Sequence, residues 1–339
     1  MLQMSIAVAG LFVLTACATA PSQAPAPAPT CEVSASDRAW IERALDAWRF
    51  SKREVLDINT TGDFRAVLFD ADCVLSSGNA LTDENGVGVT WTTTPHTGVI
   101  TLPDGSEAPA SVISFTTGDA NQSYFVMSMP SVWSAAGVQS ETIDLDAMLV
   151  FVFLHETSHV MHSSTYGQRI SSIVERYGLP ESFNDDSMQQ RYRTNRDFTA
   201  SVEREIALLV EAATAPDDNT ALRLAQEARA LMRARASRYF VGEDVHFAHA
   251  EDVWLTFEGS GQWAGYRWLI HPQGMGLDPE LARREVMRSR WWSQNEGLAI
   301  ALVLDRLGTE DWRITAFGGG ERTFLQMLDE TLAAAEAPR

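Results

Sequence analysis

The sequence predicts an α+β fold: an N-terminal helix and a mixed or antiparallel sheet packed on one buried helix, followed by a mostly helical C-terminal part. Three observations carry this. Between residues 65 and 132 short apolar and β-branched runs alternate with turn-rich stretches. Residues 147–154 are apolar without interruption, and His155, Glu156, His159 and His162 follow at once. Beyond Phe198 the apolar residues recur at helical spacing.

The N-terminus is set apart. The apolar run from Ile6 to Leu14 is too short to span a bilayer and reads as the core of a signal peptide, residues 1–16, although Met1 to Ser5 carry no Lys or Arg. Leu14-Thr15-Ala16-Cys17 resembles a bacterial lipobox, which implies lipidation of Cys17 and a protein anchored in the cell envelope, facing the periplasm. Ala rather than Asp at position 18 implies the outer membrane. An ordinary secretory signal with a chance cysteine is the other reading. Residues 17–31 then form an Ala/Pro-rich tether, with prolines at 21, 25, 27 and 29. In an oxidising compartment, with Cys17 acylated, Cys31 and Cys73 are expected to form a disulfide; two free buried thiols are the alternative.

A helix from Ser36 or Asp37 to about Asp57 carries Trp40, Ile41, Leu45, Trp48 and Val55 on or near one stripe. Predicted strands are 65–73, Val87 to Trp91, Val99 to Leu102, Ser111 to Phe115 and Tyr124 to Met129, with a Pro-Asp-Gly turn at 103–105. These make a sheet subdomain over 32–139, expected to pack directly on the next helix, which is apolar all round and needs cover on every side. Thr142 can cap that helix, and Asp144 and Asp146 suit its positive end. The helical subdomain, 140–339, continues with an αα-hairpin, 198–213 and 218–240, and with helices near 251–270 and 293–307. Five arginines on the second hairpin helix read mostly as a solvated face, with one available to neutralise Glu205.

Imidazoles and a carboxylate on a buried helix are costly to desolvate without partners. His155 and His159 lie four apart on one face, and His-Glu-x-x-His is the spacing at which both reach one zinc ion, with Glu156 placed as general base. His162 lies two turns from His155, about 10 Å along the axis, and reads as a core or supporting histidine. A catalytic zinc takes a third protein ligand. Glu258 sits among aromatic and small residues in Trp254-Leu-Thr-Phe-Glu-Gly-Ser-Gly-Gln-Trp-Ala-Gly-Tyr266, Glu205 in the hairpin, and Glu296 in a second Glu-Gly pair beside Asn295.

With these residues the chain resembles the zincin metallopeptidases and, among them, the gluzincins, which join His-Glu-x-x-His to a Glu-Gly on a later helix. The match is His155-Glu156-Thr157-Ser158-His159 with Glu258-Gly259, over residues 142–300. The interval from His159 to Glu258 is longer than in compact members, and a second Glu-Gly competes. The resemblance implies zinc held by His155, His159 and Glu258, with Glu205 or Glu296 as the alternative third ligand. It also implies a peptide or protein substrate, Glu156 as general base, and an oxyanion donor for which Tyr266, His246, His249 and His271 are candidates. The strand 124–129 is the expected partner for extended substrate. The rival function is a catalytically silent lipoprotein of this fold with a binding or envelope-assembly role. A net charge of −19 excludes a general affinity for nucleic acid and leaves the lipid as the only tie to a membrane.

Overall fold

Ser34 opens the first helix by accepting a hydrogen bond from the Asp37 amide. The computed structural model describes residues 31–58, 65–78, 88–118, 122–140, 142–180, 182–309, 311–317 and 319–336. The leader, Cys17, most of the tether, and Val87 at the start of one predicted strand lie outside these residues. Helix α1 spans Ala35–Phe50 and then widens into a π-type turn, Ser51–Val55, where the Leu56 amide bonds back to Ser51. The predicted continuous helix to Asp57 is thus corrected in its last turn.

The predicted strand 65–73 is two strands. The Asp70 carboxylate accepts the amides of Asp72 and Cys73, making a tight turn between β1 (Arg65–Phe69) and β2 (Cys73–Ser77). Strands β3 (Trp91–Pro95), β6 (Ser114–Thr117) and β7 (Tyr124–Ser128) complete a five-stranded sheet in the order β3-β2-β1-β7-β6. Only β1 and β7 run parallel. Strands β4 (Val99–Thr101) and β5 (Glu107–Pro109) form a separate hairpin around the Pro-Asp-Gly turn, where Gly105 has φ +83°. A disulfide joins Cys31 to Cys73, which begins β2 instead of ending the first strand.

The alternation along β1 and β7 divides the core. Ala66, Leu68, Phe125 and Met127 face the helices, whereas Val67, Phe69, Tyr124 and Val126 face the β4–β5 hairpin with Ile100 and Leu102. A short helix, α2 (Pro130–Ala135), follows β7. Helix α3 (Leu145–His162) lies on the first face: the Phe153 ring meets Phe125 edge-on at 5.0 Å and Trp40 at 6.1 Å. Its cap is Asp144, which accepts the Ala147 amide, and not Thr142.

Helix α4 (Gln168–Tyr177) and α5 (Ser187–Tyr192) lead into the predicted hairpin, α6 (Arg196–Ala213) and α7 (Asp218–Tyr239), with Asn195 and Asp217 as caps. Helix α8 (Phe247–Ile270) begins a turn earlier than predicted and is buried on almost every side. After α9 (Pro279–Val286), helix α10 (Trp292–Leu307) crosses it, and α11 (Trp312–Phe317) and α12 (Phe324–Glu336) close the core. The two Glu-Gly pairs meet at this crossing. A Cβ on Gly259 would lie 2.4 Å from the Gly297 carbonyl carbon, and one on Gly297 2.4 Å from the Leu255 oxygen. No other residue fits at either position without moving a helix.

Four helices are also tied by one cation. Arg235 of α7, fully buried, bonds Glu205 of α6 at 2.6 Å, Glu251 of α8 at 2.5 Å and Glu296 of α10 at 3.4 Å. One charge cannot balance three buried carboxylates, and Glu296 Oε2 has no partner. Burial pushes the Glu296 carboxyl far above its usual value; Arg235 opposes this, and Glu205 and Glu251 add to it. Glu296 thus binds a proton more tightly in the fold than in the unfolded chain, which titrates near the ordinary carboxylate range. Stability from this group is complete below that range and is lost as pH rises toward the folded value. Glu296→Gln is accordingly expected to gain on the wild type in thermal unfolding between pH 5 and pH 8; a gap that stays constant with pH refutes the buried proton. Arg235→Met, which leaves the carboxylates without a cation, should cost about 3–5 kcal/mol in denaturant unfolding at neutral pH.

Candidate metal centre

Because α3 and α8 pack side by side, His155 and His159, one turn apart, face Glu258. The three are buried, and their ligand atoms lie within 4.8 Å of one another. His155 Nε2 is 3.4 Å from Glu258 Oε2, and His159 Nε2 is 3.2 Å from Oε1. Ligand atoms about 2.0–2.1 Å from a tetrahedral ion stand about 3.3 Å apart, whereas charge-assisted hydrogen bonds run about 2.7–2.9 Å. The separations are close to those of ligands spread around an ion and longer than the usual charge-assisted hydrogen bond. Two imidazoles and a carboxylate are a donor set suited to a divalent metal ion, so the residues present fit such a group.

Packing orients both rings. The His159 imidazole stacks on Phe257 at 4.1 Å with an interplanar angle of 8°. A Cβ on Gly261 would lie 2.7 Å from His155 Nδ1. Both Nδ1 atoms are buried without a hydrogen-bond partner, so ring contacts, and not hydrogen-bonded carboxylates or carbonyls, hold the imidazoles in place. Gln294 Nε2 donates to Glu258 Oε2 at 3.1 Å.

The charges reinforce one another. Burial disfavours the His155 imidazolium, but the hydrogen bond and charge of Glu258, with Glu156 and Asp185 beyond, raise its pKa overall. Burial alone would push Glu258 up; His159 and His155 outweigh it and hold the carboxyl well below its usual range.

Glu156 lies on the same cavity, its Oε2 3.1 Å from Thr116 Oγ1 on β6. The cavity has a volume of about 530 Å³. Its lining includes Ser114, Phe115 and Thr116 of β6 and, from the helical part, the loop Asn184-Asp185-Asp186 with Trp291 and Gln294. Sequence reasoning gave no signal for that loop. Phe183 anchors it against Trp254 and Phe247, and Gln189 ties its far end to Arg290 and Trp292. Burial, then Glu258 and Asp186, pushes Asp185 up to about 8, and burial followed by Glu258 pushes Asp186 to about 6.

The other candidates lie elsewhere. Glu205 and Glu296 are committed to Arg235 and do not approach the histidines. Glu296 is a buried partner in that cluster, so its place beside Asn295 in the first turn of α10 does not define its role. His162 Nε2 donates to the Ala316 carbonyl at 2.7 Å, and Nδ1 is 3.2 Å from Ser260 Oγ. Burial drives its pKa down to about 3, so it is a neutral core residue. None of the four predicted oxyanion donors lines the cavity. The Tyr266 hydroxyl donates to Pro279, His246 and His249 pack near Tyr177, and His271 packs on Phe50. Strand 124–129 is interior to the sheet, and the edge strand at the cavity is β6.

No family model, curated protein or solved structure matches this chain.

Metal analysis of the purified chain is expected to find one divalent ion per molecule. His155→Ala/His159→Ala should abolish binding and Glu258→Gln should weaken it more than about tenfold. Glu205→Gln and Glu296→Gln should keep it. Gly261→Ala, which pushes on the His155 ring, should weaken it without removing a ligand. Loss of metal in Glu205→Gln but not in Glu258→Gln would overturn the assignment.

Proposed function

We propose that this chain is a zinc metallopeptidase of the gluzincin kind, anchored by lipidated Cys17 in the bacterial envelope. The observation that carries the reading is the convergence of His155, His159 and Glu258 on one point of a cavity, with Glu156 on its wall. A bound zinc supplies Lewis-acid polarisation of a carbonyl and makes water acidic enough to attack near neutral pH.

The chain's residues do the rest. Glu156, held by Thr116, takes the proton from the attacking water and passes it to the leaving nitrogen. Edge strand β6 offers its free side to an extended substrate backbone, which would lie as an added strand across the cavity. Phe151, Val152, Phe257 and Trp291 limit water around the reacting atoms. The Cys31–Cys73 disulfide supports an oxidising location such as the periplasm.

Glu156→Gln separates this reading from a silent binding protein. The variant should keep its metal yet lose about 10²–10⁴-fold in kcat/KM on a broad library of quenched peptides. Wild-type protein that carries metal and cleaves nothing in the library would defeat the peptidase reading.

A further inference from the structure

The carboxyl groups around the cavity outnumber the cations available to them. A divalent ion at the histidines would offset Glu258 and Glu156, which leaves the carboxyl groups of Asp185 and Asp186 in the same lining without a cation of their own. Neither has an ion-pair partner among the described residues. Among the described residues the side-chain donor to Asp185 is the Ser293 hydroxyl, at 3.5 Å; the Arg290 guanidinium lowers the Asp186 pKa from a distance but lies over the Trp291 ring, 4.3 Å from its centroid. Among the described residues, no Lys or Arg lines the cavity.

Gln262 points the same way independently. It lies one turn beyond Glu258 on α8, lines the cavity, and is 4 % exposed. Its Oε1 is buried with no hydrogen-bond donor, and an unsatisfied acceptor of this kind costs about 1–3 kcal/mol. The cavity lining thus carries two carboxyl groups without an ion-pair partner and, at Gln262, an acceptor without a donor. A peptide ammonium or guanidinium brings a positive charge and a hydrogen-bond donor, and the apolar stem of a basic side chain can lie along Trp291.

We propose that Asp185, Asp186 and Gln262 form the specificity pocket of this site and receive a cationic group of the substrate close to the bond that is cut. This rests on the peptidase reading for the word substrate, but the pocket itself can be tested without turnover. Two sources supply such a cation, a Lys or Arg side chain and a free amino terminus.

The experiment is calorimetric titration of the zinc-loaded full chain with lysine hydroxamate and norleucine hydroxamate, each with a free and an acetylated α-amine. The lysine form should bind at least about tenfold more tightly than the norleucine form. Persistence of that gap after acetylation identifies the side chain as the source; a gap between free and acetylated norleucine identifies the amino terminus. Asp185→Asn and Asp186→Asn, checked for wild-type metal content and melting temperature, should collapse whichever gap is seen.

The proposal is overturned if neither cation improves binding or if the gaps survive in both variants. It is also overturned if the wild type takes up a second zinc that the Asp variants lose, since the wall would then hold a metal. Should the chain bind no metal at all, lysine amide and norleucine amide titrated into the metal-free protein decide the matter. A lysine preference abolished by the Asp variants sustains the pocket while the zinc reading falls, and no preference refutes the pocket as well.

Discussion

The close approach of α8 to both α3 and α10 is the contact on which the rest of this structure depends. At Gly259 it meets the backbone of α10, at Gly261 the His155 ring, and at Gly265 the ring of Phe151, where an added Cβ would lie 2.4 Å away. Each glycine in a helix interior costs roughly 0.5–1 kcal/mol relative to alanine. Placing three within seven residues makes sense only if separation of the helices would cost more. Here it would: the third ligand would leave the two histidines, and the core that α8 shares with α3 and α10 would open.

The same helix carries two charge systems that must stay apart. Glu251 belongs to Arg235 and its carboxylates, and Glu258 to the histidines. Seven residues place them two turns apart, about 10 Å along the axis. Each is stable for a different reason. In the Arg235 cluster the carboxylates outnumber the cation, and burial raises the Glu296 pKa, which suits a structural joint that meets no ligand. The imidazoles draw Glu258 below its usual pKa despite its burial, which favours the anion that a candidate metal ligand has to be. The two Glu-Gly pairs share a role in their glycines and differ in which cation their glutamates face.

That difference marks the limit of what could be read from the sequence. The buried helix, its histidines, the helical hairpin and the sheet on one face follow from apolar runs, periodicity and turn residues, because these are local properties. The choice of Glu258 over Glu205 and Glu296 rests on the resemblance of its Glu-Gly to the gluzincin pattern, since both Glu-Gly pairs have aromatic and small neighbours. In the fold, the glycines after Glu258 are the residues that let α8 approach. Strand 65–73 was misread because the Asp70 side chain, not an obvious Gly or Pro, makes the turn. Strand order was not legible: β6 is less regular in sequence than β7, yet pairing of β7 with β1 leaves β6 at the edge. The acidic loop was invisible for the same reason. Asp185 and Asp186 look like any solvated pair until Phe183 fixes the loop against α8.

The geometry of the cavity then constrains how its walls act together. Thr116 holds Glu156 from the β6 side, while Gln294 holds Glu258 from the α10 side, so the proposed general base and the candidate metal ligand are oriented by different parts of the fold. The loop 184–186 is fastened to α8 through Phe183 and to the start of α10 through Gln189. Any shift of α10 would therefore move Gln294 and the acidic loop together, changing the restraint on Glu258 and the shape of the cavity. The proposed cation pocket and the candidate metal centre are thus tied to one helix, and the tight Gly259–Gly297 crossing restrains that helix.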